Sequence, residues 1–230
     1  MEQFEFKRLS YVLKTVEVIK DGISPTDIYQ GGLGDCYYLS AIASIAEYPD
    51  RIKRNILQRK TSPKGAYCVA LNIVGAWVQI VVDDIFPVNS SGSLVFCYTK
   101  EKEIWAMILE KAYAKAYGAY WHIGAGGQTG HAMKDLTSAP TEFINMEDAK
   151  AEATALAAVI EADKNRFVIT CSSKGQGEKK NSDGIISGHA YTLASVYNLS
   201  SGQTLLKLRN PWGSGEWQGD WGDKSSLWTD

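Results

Sequence analysis

Gln30-Gly31-Gly32-Leu33-Gly34-Asp35-Cys36-Tyr37-Tyr38-Leu39-Ser40-Ala41 sets a glycine-rich turn against an apolar run and puts one cysteine at the junction. Three glycines in four positions permit positive φ and close backbone approach, which a turn needs if it is to present a side chain at a helix start. The apolar run predicts a helix over residues 37–48. Unpaired N–H groups and the dipole at its start favour negative charge, so a thiol there is expected to have its pKa lowered toward the nucleophilic thiolate. Taken alone, the stretch fits a reactive thiol and a small buried hydrophobe about equally.

Outward from that stretch, composition narrows the classes. The chain has 230 residues, 45% hydrophobic and 22% charged, which suits one large domain or two small lobes around a proper core. A formal net charge of −2 gives no electrostatic argument for nucleic acid or anionic membrane and leaves proteins or small molecules as partners. The first twenty residues hold no signal-peptide pattern, and no run reaches the 18 apolar residues of a membrane span. A cytoplasmic protein is expected. Cys36, Cys68, Cys97 and Cys171 are then read as free thiols, and no paired cysteine or histidine spacing suggests zinc.

Before the motif, residues 1–28 have no clean period and are expected to pack as an irregular arm. After it, residues 51–60 read as a short basic helix. Two β-rich segments, residues 66–74 and 77–82, are joined by Gly75-Ala76 as a hairpin. Asp83-Asp84 at its end is either a cation or acid pair or, more commonly at a strand end, a solvated turn. Residues 94–98 suggest a short strand, and residues 103–117 are the clearest helix, with Gly118 at its C-terminal cap. Its Glu110-Lys111 pair reads as surface charge. Gly124, Gly126, Gly127 and Gly130 make a flexible loop without a phosphate-loop signature. His122 and His131 lie there with no partner motif and are read as surface groups. The chain changes unit near Ser138-Ala139-Pro140. Beyond it, residues 149–160 are helical, residues 167–171, 190–197 and 204–208 are strands, and residues 172–182 form an exposed loop.

A thiol nucleophile needs a base, and the base needs a third group to hold its tautomer. His189 stands in Gly188-His189-Ala190-Tyr191 at the entrance to a strand, and Asn210 in Arg209-Asn210-Pro211-Trp212-Gly213 just past the next. Adjacent strands would set them side by side. The order Cys, His, Asn, with 153 residues from Cys36 to His189 and 21 more to Asn210, matches a papain-type arrangement.

These motifs, together with Val81-Val82-Asp83-Asp84 and Leu109-Glu110-Lys111-Ala112-Tyr113-Ala114-Lys115, run in the same order as those of the calpains. The sequence resembles the protease core of that family, papain-like intracellular cysteine proteases that calcium activates. The resemblance implies an α+β fold of two lobes with the active site between them: a helical first lobe over residues 1–139 and a β-rich second lobe over 140–230. It makes Cys36 the nucleophile, His189 the general base and acid, and Asn210 the group that orients the imidazole. Gln30 would donate to the oxyanion beside the Cys36 N–H, worth roughly 3 kcal/mol of the barrier for a donor of this kind. Trp212 would shield the His–Asn pair, and Gly188 would offer its backbone to an extended peptide. Calcium is the implied cofactor, with Gly22 and Asp27 in a first-lobe site and Glu216 and Asp223 in a second-lobe site. Protein substrates, and further domains of a longer chain, are the implied partners.

The chain also departs from the family pattern. The family's first-lobe glutamate is expected in a Tyr-Glu-Ala-Leu stretch, where this chain has Tyr120-Trp121-His122-Ile123, so that calcium site should be weakened. Leu136-Thr137-Ser138-Ala139 replaces Phe-Thr-Gly-Gly, and Pro25 stands where an arginine would tie the lobes. The chain ends at Asp230, before the last strands of the second lobe, and is read as a fragment of a longer protein. The leading expectation is a calcium-regulated cysteine endopeptidase working through a thioester. The alternatives are an inactive calpain-like binding or scaffold domain and, less favoured, another acyl transfer by the same triad.

Overall fold

The computed structural model describes residues 4–99, 103–146 and 149–228. The expected unit ends, residues 1–3 and 229–230, lie outside them. The arm has more order than its lack of period suggested. Strand β1 (Glu5–Arg8) pairs antiparallel with a later strand, helix α1 (Leu9–Val12) buries Leu9, and a 3-10 turn at Pro25–Asp27 leads into β2 (Ile28–Tyr29). The turn is stabilised by a capping box in which Ser24 Oγ accepts from the Thr26 N–H and Asp27 Oδ2 accepts from the Ser24 N–H.

Helix α2 (Cys36–Ala46) is the centre of the molecule, and all eleven of its residues are buried. A helix apolar on every face needs cover on every face. On one side lies the central helix of the later sequence, where Tyr38 stacks on Tyr113 with ring centroids 3.9 Å apart and donates its hydroxyl to the Leu109 carbonyl. Next come α3 (Pro49–Lys53), which stops short of the expected basic helix, and a hairpin of β3 (Ala66–Ile73) and β4 (Ala76–Asp83). The hairpin register pairs Ile73 with Ala76, so the turn is Val74-Gly75, with φ of 52° and 83°. Positive φ at both positions is the geometry that keeps two twisted strands together.

Strand β5 (Ile85–Val88) is the partner of β1, and β6 (Tyr98–Thr99) is the partner of β2. Helix α4 (Trp105–Ala116) follows, buried along most of its length. The glycine-rich stretch is not one flexible loop. It contains α5 (Tyr120–Ile123) and α6 (Thr129–Thr137), the latter packing Ala132, Met133 and Leu136 inward. After Pro140 come α7 (Ala149–Lys164) and a three-stranded antiparallel sheet in the order β7 (Ile169–Ser172), β8 (Ala190–Asn198), β9 (Thr204–Arg209).

The mixed helix and strand content is that of an α+β protein. Among the described residues, the main apolar cluster comes from before residue 137 with one exception, Ala190. The sheet meets α2 chiefly through its middle strand β8, and hydroxyl groups bond across the contact. Ser40 Oγ donates to the Ala190 carbonyl at 2.9 Å, Thr192 Oγ1 donates to the Ser40 carbonyl at 2.9 Å, and Ser44 Oγ donates to the Ile169 carbonyl at 2.9 Å while accepting from the Ile169 N–H. These polar contacts explain how serines sit inside a buried helix without leaving unpaired hydroxyls.

Candidate active site

Cys36 is the first residue of α2, where the sequence puts it, and it is 9% exposed. His189 immediately precedes β8 and is 1% exposed, while Asn210 follows the last residue of β9. The β8–β9 pairing therefore does what the spacing suggested. Asn210 Oδ1 accepts from His189 Nε2 at 2.8 Å and also from the Trp212 N–H at 3.0 Å, while Asn210 Nδ2 donates to the Ser214 carbonyl at 2.9 Å. Because a backbone N–H can only donate, the oxygen of the amide is the atom facing the ring, and Nε2 carries a hydrogen. Nδ1 is left to face the cysteine side. The Trp212 ring covers the imidazole at a centroid distance of 5.0 Å, and Tyr191 meets it edge-on at 5.1 Å.

One group at this site was missed by sequence reasoning. Glu178 lies in the stretch read as an exposed loop, yet its Oε1 is 2.8 Å from His189 Nδ1. The Sγ of Cys36, a carboxylate oxygen of Glu178 and a ring nitrogen of His189 all lie within 4.8 Å of one another. Residues 173–188 fold back over the site because their ends are tied: the Gly188 N–H donates to the Lys174 carbonyl, and Ser173 Oγ accepts from the His189 N–H. Glu178 itself has φ of 44°, an uncommon left-handed conformation for a non-glycine residue. No local pattern in the sequence marks it, since the approach depends on how the loop returns.

The expected lowering of the Cys36 pKa is overturned. Burial pushes the thiol up to about 11, and the Glu178 and Asp35 charges push the same way against the stabilising backbone amide of Ala190. A helix start favours a thiolate by only about 0.3–1 kcal/mol, less than burial beside two carboxylates costs it. Beneath the cysteine, Asp35 and Glu110 face each other in full burial. Burial raises Asp35 to about 7 and Glu110 well above its ordinary value, the Asp35 charge adding to the latter. Glu110 Oε1 accepts from the Cys97 N–H at 2.9 Å. Glu110 is thus no surface charge. Its neighbour Lys111 pairs with Asp83 at 2.5 Å, and Arg8 pairs with Asp84 at 3.2 Å, which gives each of the two adjacent aspartates a structural partner.

Gln30 is buried. Its Nε2 donates to the Leu33 carbonyl at 2.7 Å with one of two hydrogens, and its backbone N–H donates to the Pro211 carbonyl at 2.9 Å. Gly188 has φ of 63°, and a Cβ there would stand 2.8 Å from the Gly175 carbonyl oxygen, so only glycine fits. Its N–H is committed to Lys174, so of its two backbone groups the carbonyl is the one a peptide could meet.

The expected cation residues fare unequally. Asp27 faces Glu103, a buried carboxylate whose pKa is raised to about 7, first by burial and then by Asp27, against the Lys20 N–H that stabilises its charge. The carboxylate beside Asp27 is therefore Glu103 at the foot of α4. Trp121, where the second carboxylate seemed lost, is 73% exposed on α5. Gly22 is exposed with φ of 109°, five residues before Asp27. Glu216 and Asp223 are exposed, and among the described residues their carboxylates make no hydrogen bond or ion pair and share no cluster of three potential ligands. His122 and His131 are exposed, as expected.

The calpain family cysteine protease model matches residues 1–230. This chain belongs to the calpain family. It is 39% identical over 209 residues to human calpain-14, covering 88% of this chain and 30% of that protein. It is 36% identical over 215 residues to the calpain-type cysteine protease DEK1 of Arabidopsis thaliana, covering 90% of this chain and 10% of that protein. It is 34% identical over 236 residues to the human calpain-1 catalytic subunit, covering 97% of this chain and 32% of that protein. The chain therefore spans about a third or less of the length of these calpain relatives. None of its described helices is long and apolar enough to cross a membrane.

Proposed function

We propose that this chain is the protease core of a calcium-regulated cysteine endopeptidase, with residues 1–139 and 140–230 as the two lobes of a papain-like arrangement. The observation that carries the reading is the imidazole of His189, fixed through Nε2 by Asn210, with a ring nitrogen within 4.8 Å of the Cys36 sulfur and Nδ1 engaged by Glu178. Cys36 Sγ attacks the peptide carbonyl, and the Cys36 N–H and the remaining Gln30 Nε2 hydrogen hold the oxyanion. His189 gives its proton to the leaving amine, and water then opens the thioester. Trp212 keeps water from the His–Asn bond. Glu178 must leave Nδ1 before the thiolate and imidazolium can pair, so loop 173–188 opens as substrate enters.

Calcium fits the first lobe. Two carboxylates that face each other, Asp27 and Glu103, repel when ionised, and a hard divalent cation held between them would relieve that repulsion. The Glu216 and Asp223 pair has no comparable support in its geometry. A cytoplasmic protein accords with four cysteines that remain free. Protein substrates and further domains of a longer chain follow from the family.

A second reading, a calpain-like binding module that does not cleave, draws on one observation, the Glu178 carboxylate at the position a thiolate would need. The two separate by experiment. Cys36→Ala is expected to abolish labelling by an irreversible thiol-directed peptide inhibitor, and an unfolded protein substrate is expected to be cut faster as calcium is added. Labelling that persists in the variant removes Cys36 as nucleophile, and binding without cleavage at any calcium level supports the module.

A further inference from the structure

We infer that Cys36, Glu178 and His189 form a binding site for a thiophilic divalent cation, zinc above all, that caps the nucleophile and the base together. The three groups offer sulfur, carboxylate oxygen and imidazole nitrogen, and no two of those ligand atoms are more than 4.8 Å apart. Zinc takes such a mixed set at about 2.3 Å to sulfur and about 2.0–2.2 Å to nitrogen and oxygen, with the ligands roughly 3.3–3.7 Å from each other in a tetrahedron. The 2.8 Å edge between His189 and Glu178 has to open slightly, and Glu178, one-third exposed on its loop, is the member free to move.

The tautomer is already the right one. Asn210 holds the hydrogen on Nε2, so Nδ1 is the nitrogen a metal would take once the proton it shares with Glu178 leaves, with an amide oxygen behind the ring in the position of a metal-site orienting group. Two protons stand where the ion would go, one on the Cys36 thiol and one in the short contact between His189 and Glu178. Both pass to solvent as the Sγ–Zn, Nδ1–Zn and Oε–Zn bonds form, and no electron changes hands. A water would complete the tetrahedron as the fourth ligand. A sulfur and nitrogen set disfavours calcium and magnesium, so the ion that would activate the protein does not compete for this site. Glu178 is what distinguishes the site from the bare thiol and imidazole of any such pair.

That the bound ion silences peptide cleavage rests on the reading of Cys36 and His189 as the reacting pair; that it binds does not. Binding is read directly, by zinc competition against a chromophoric chelator and by the thiolate-to-metal absorption band of bound cobalt, on the chain and on Glu178→Gln and Cys36→Ala. One ion per chain is expected, with about two protons released per ion, no displacement by millimolar calcium, at least tenfold weaker binding in Glu178→Gln and no cobalt–thiolate band in Cys36→Ala. Zinc is also expected to protect Cys36 of the unmutated chain from alkylation, which needs no variant to fold. Unchanged affinity in Glu178→Gln, or no protection of Cys36, overturns the site. Tight binding by a chain that cuts no substrate at any calcium concentration leaves the site standing and removes the peptidase reading, whereas cleavage that continues with zinc bound leaves the site standing and removes Cys36 and His189 as the reacting pair.

Discussion

The two sides of the site are built differently. Cys36 stands on a helix buried on every face, inside an apolar cluster drawn almost wholly from the first 137 residues. His189 and Asn210 flank strands of a three-stranded sheet whose last strand, β9, is half-buried to exposed throughout and which is bonded to α2 through the hydroxyls of Ser40, Ser44 and Thr192. Apolar burial fixes a position by many small contacts, whereas a few hydrogen bonds fix a direction at modest net gain. Cys36 is therefore held by bulk packing, and His189 is aimed by its bond to Asn210 and by the Trp212 and Tyr191 rings.

The comparison breaks most visibly at Tyr38. Tyr38→Ala removes a fully buried ring stacked on Tyr113 and is expected to cost about 3–5 kcal/mol in urea unfolding. Leu208→Ala, on the exposed side of β9 at 39% exposure, should cost only about 0.5 kcal/mol. Equal losses would show that the sheet is packed as firmly as the helical body.

A second effect follows from Asp35. Its carboxyl stays protonated in the folded chain up to about pH 7, while the unfolded group ionises near its ordinary value of 3.8. Folding is then favoured at low pH, and that advantage is lost as pH rises from about 4 through 7. Asp35→Asn, which cannot ionise, should flatten the fall in melting temperature between pH 5 and pH 8; an identical slope in variant and parent removes Asp35 as its source.

Smaller again, Ser44→Ala deletes both bonds to Ile169 and should cost about 1–2 kcal/mol while leaving the Tyr38–Tyr113 stack intact. Hydrogen exchange should rise at β7 and β8 and not at α2. Uniform exchange increases would mean that the two sides open as one. Least costly to the fold is Glu178→Gln. It removes a charge that raises the Cys36 pKa, so alkylation of Cys36 at pH 8 should quicken by about threefold or more, with stability changed by no more than about 0.5 kcal/mol. A slower reaction would mean that Glu178 assists the thiol.

Much of this was legible in the sequence because it is local. The helix start at Cys36, the hairpin (its turn one residue earlier than the expected Gly75-Ala76), and the three strands that carry His189 and Asn210 to one end of a sheet follow from turn chemistry and apolar patterning. What escaped depends on distant partners. Glu110 beside Lys111 looks like surface charge until Asp35 and the Cys97 N–H close around it. Glu178 looks like loop until the loop returns to His189. Glu103 precedes a helix as any charged residue might, and only the fold sets it against Asp27. Helix α6 escaped because its three apolar residues are embedded among glycine and polar neighbours. The Cys36 pKa was misjudged by weighing the helix terminus without the burial that comes with a helix hidden on every face.

The bond from the Gln30 N–H to the Pro211 carbonyl has a wider consequence. It joins the neighbour of the orienting amide, Asn210, to the residue that would steady the oxyanion, across the two sides of the molecule. Under the proposed roles, parting the halves would displace the Gln30 side chain and the Asn210 amide in one movement. In the proposed protease this bond would make the site a coincidence circuit, idle until both contacts close at once.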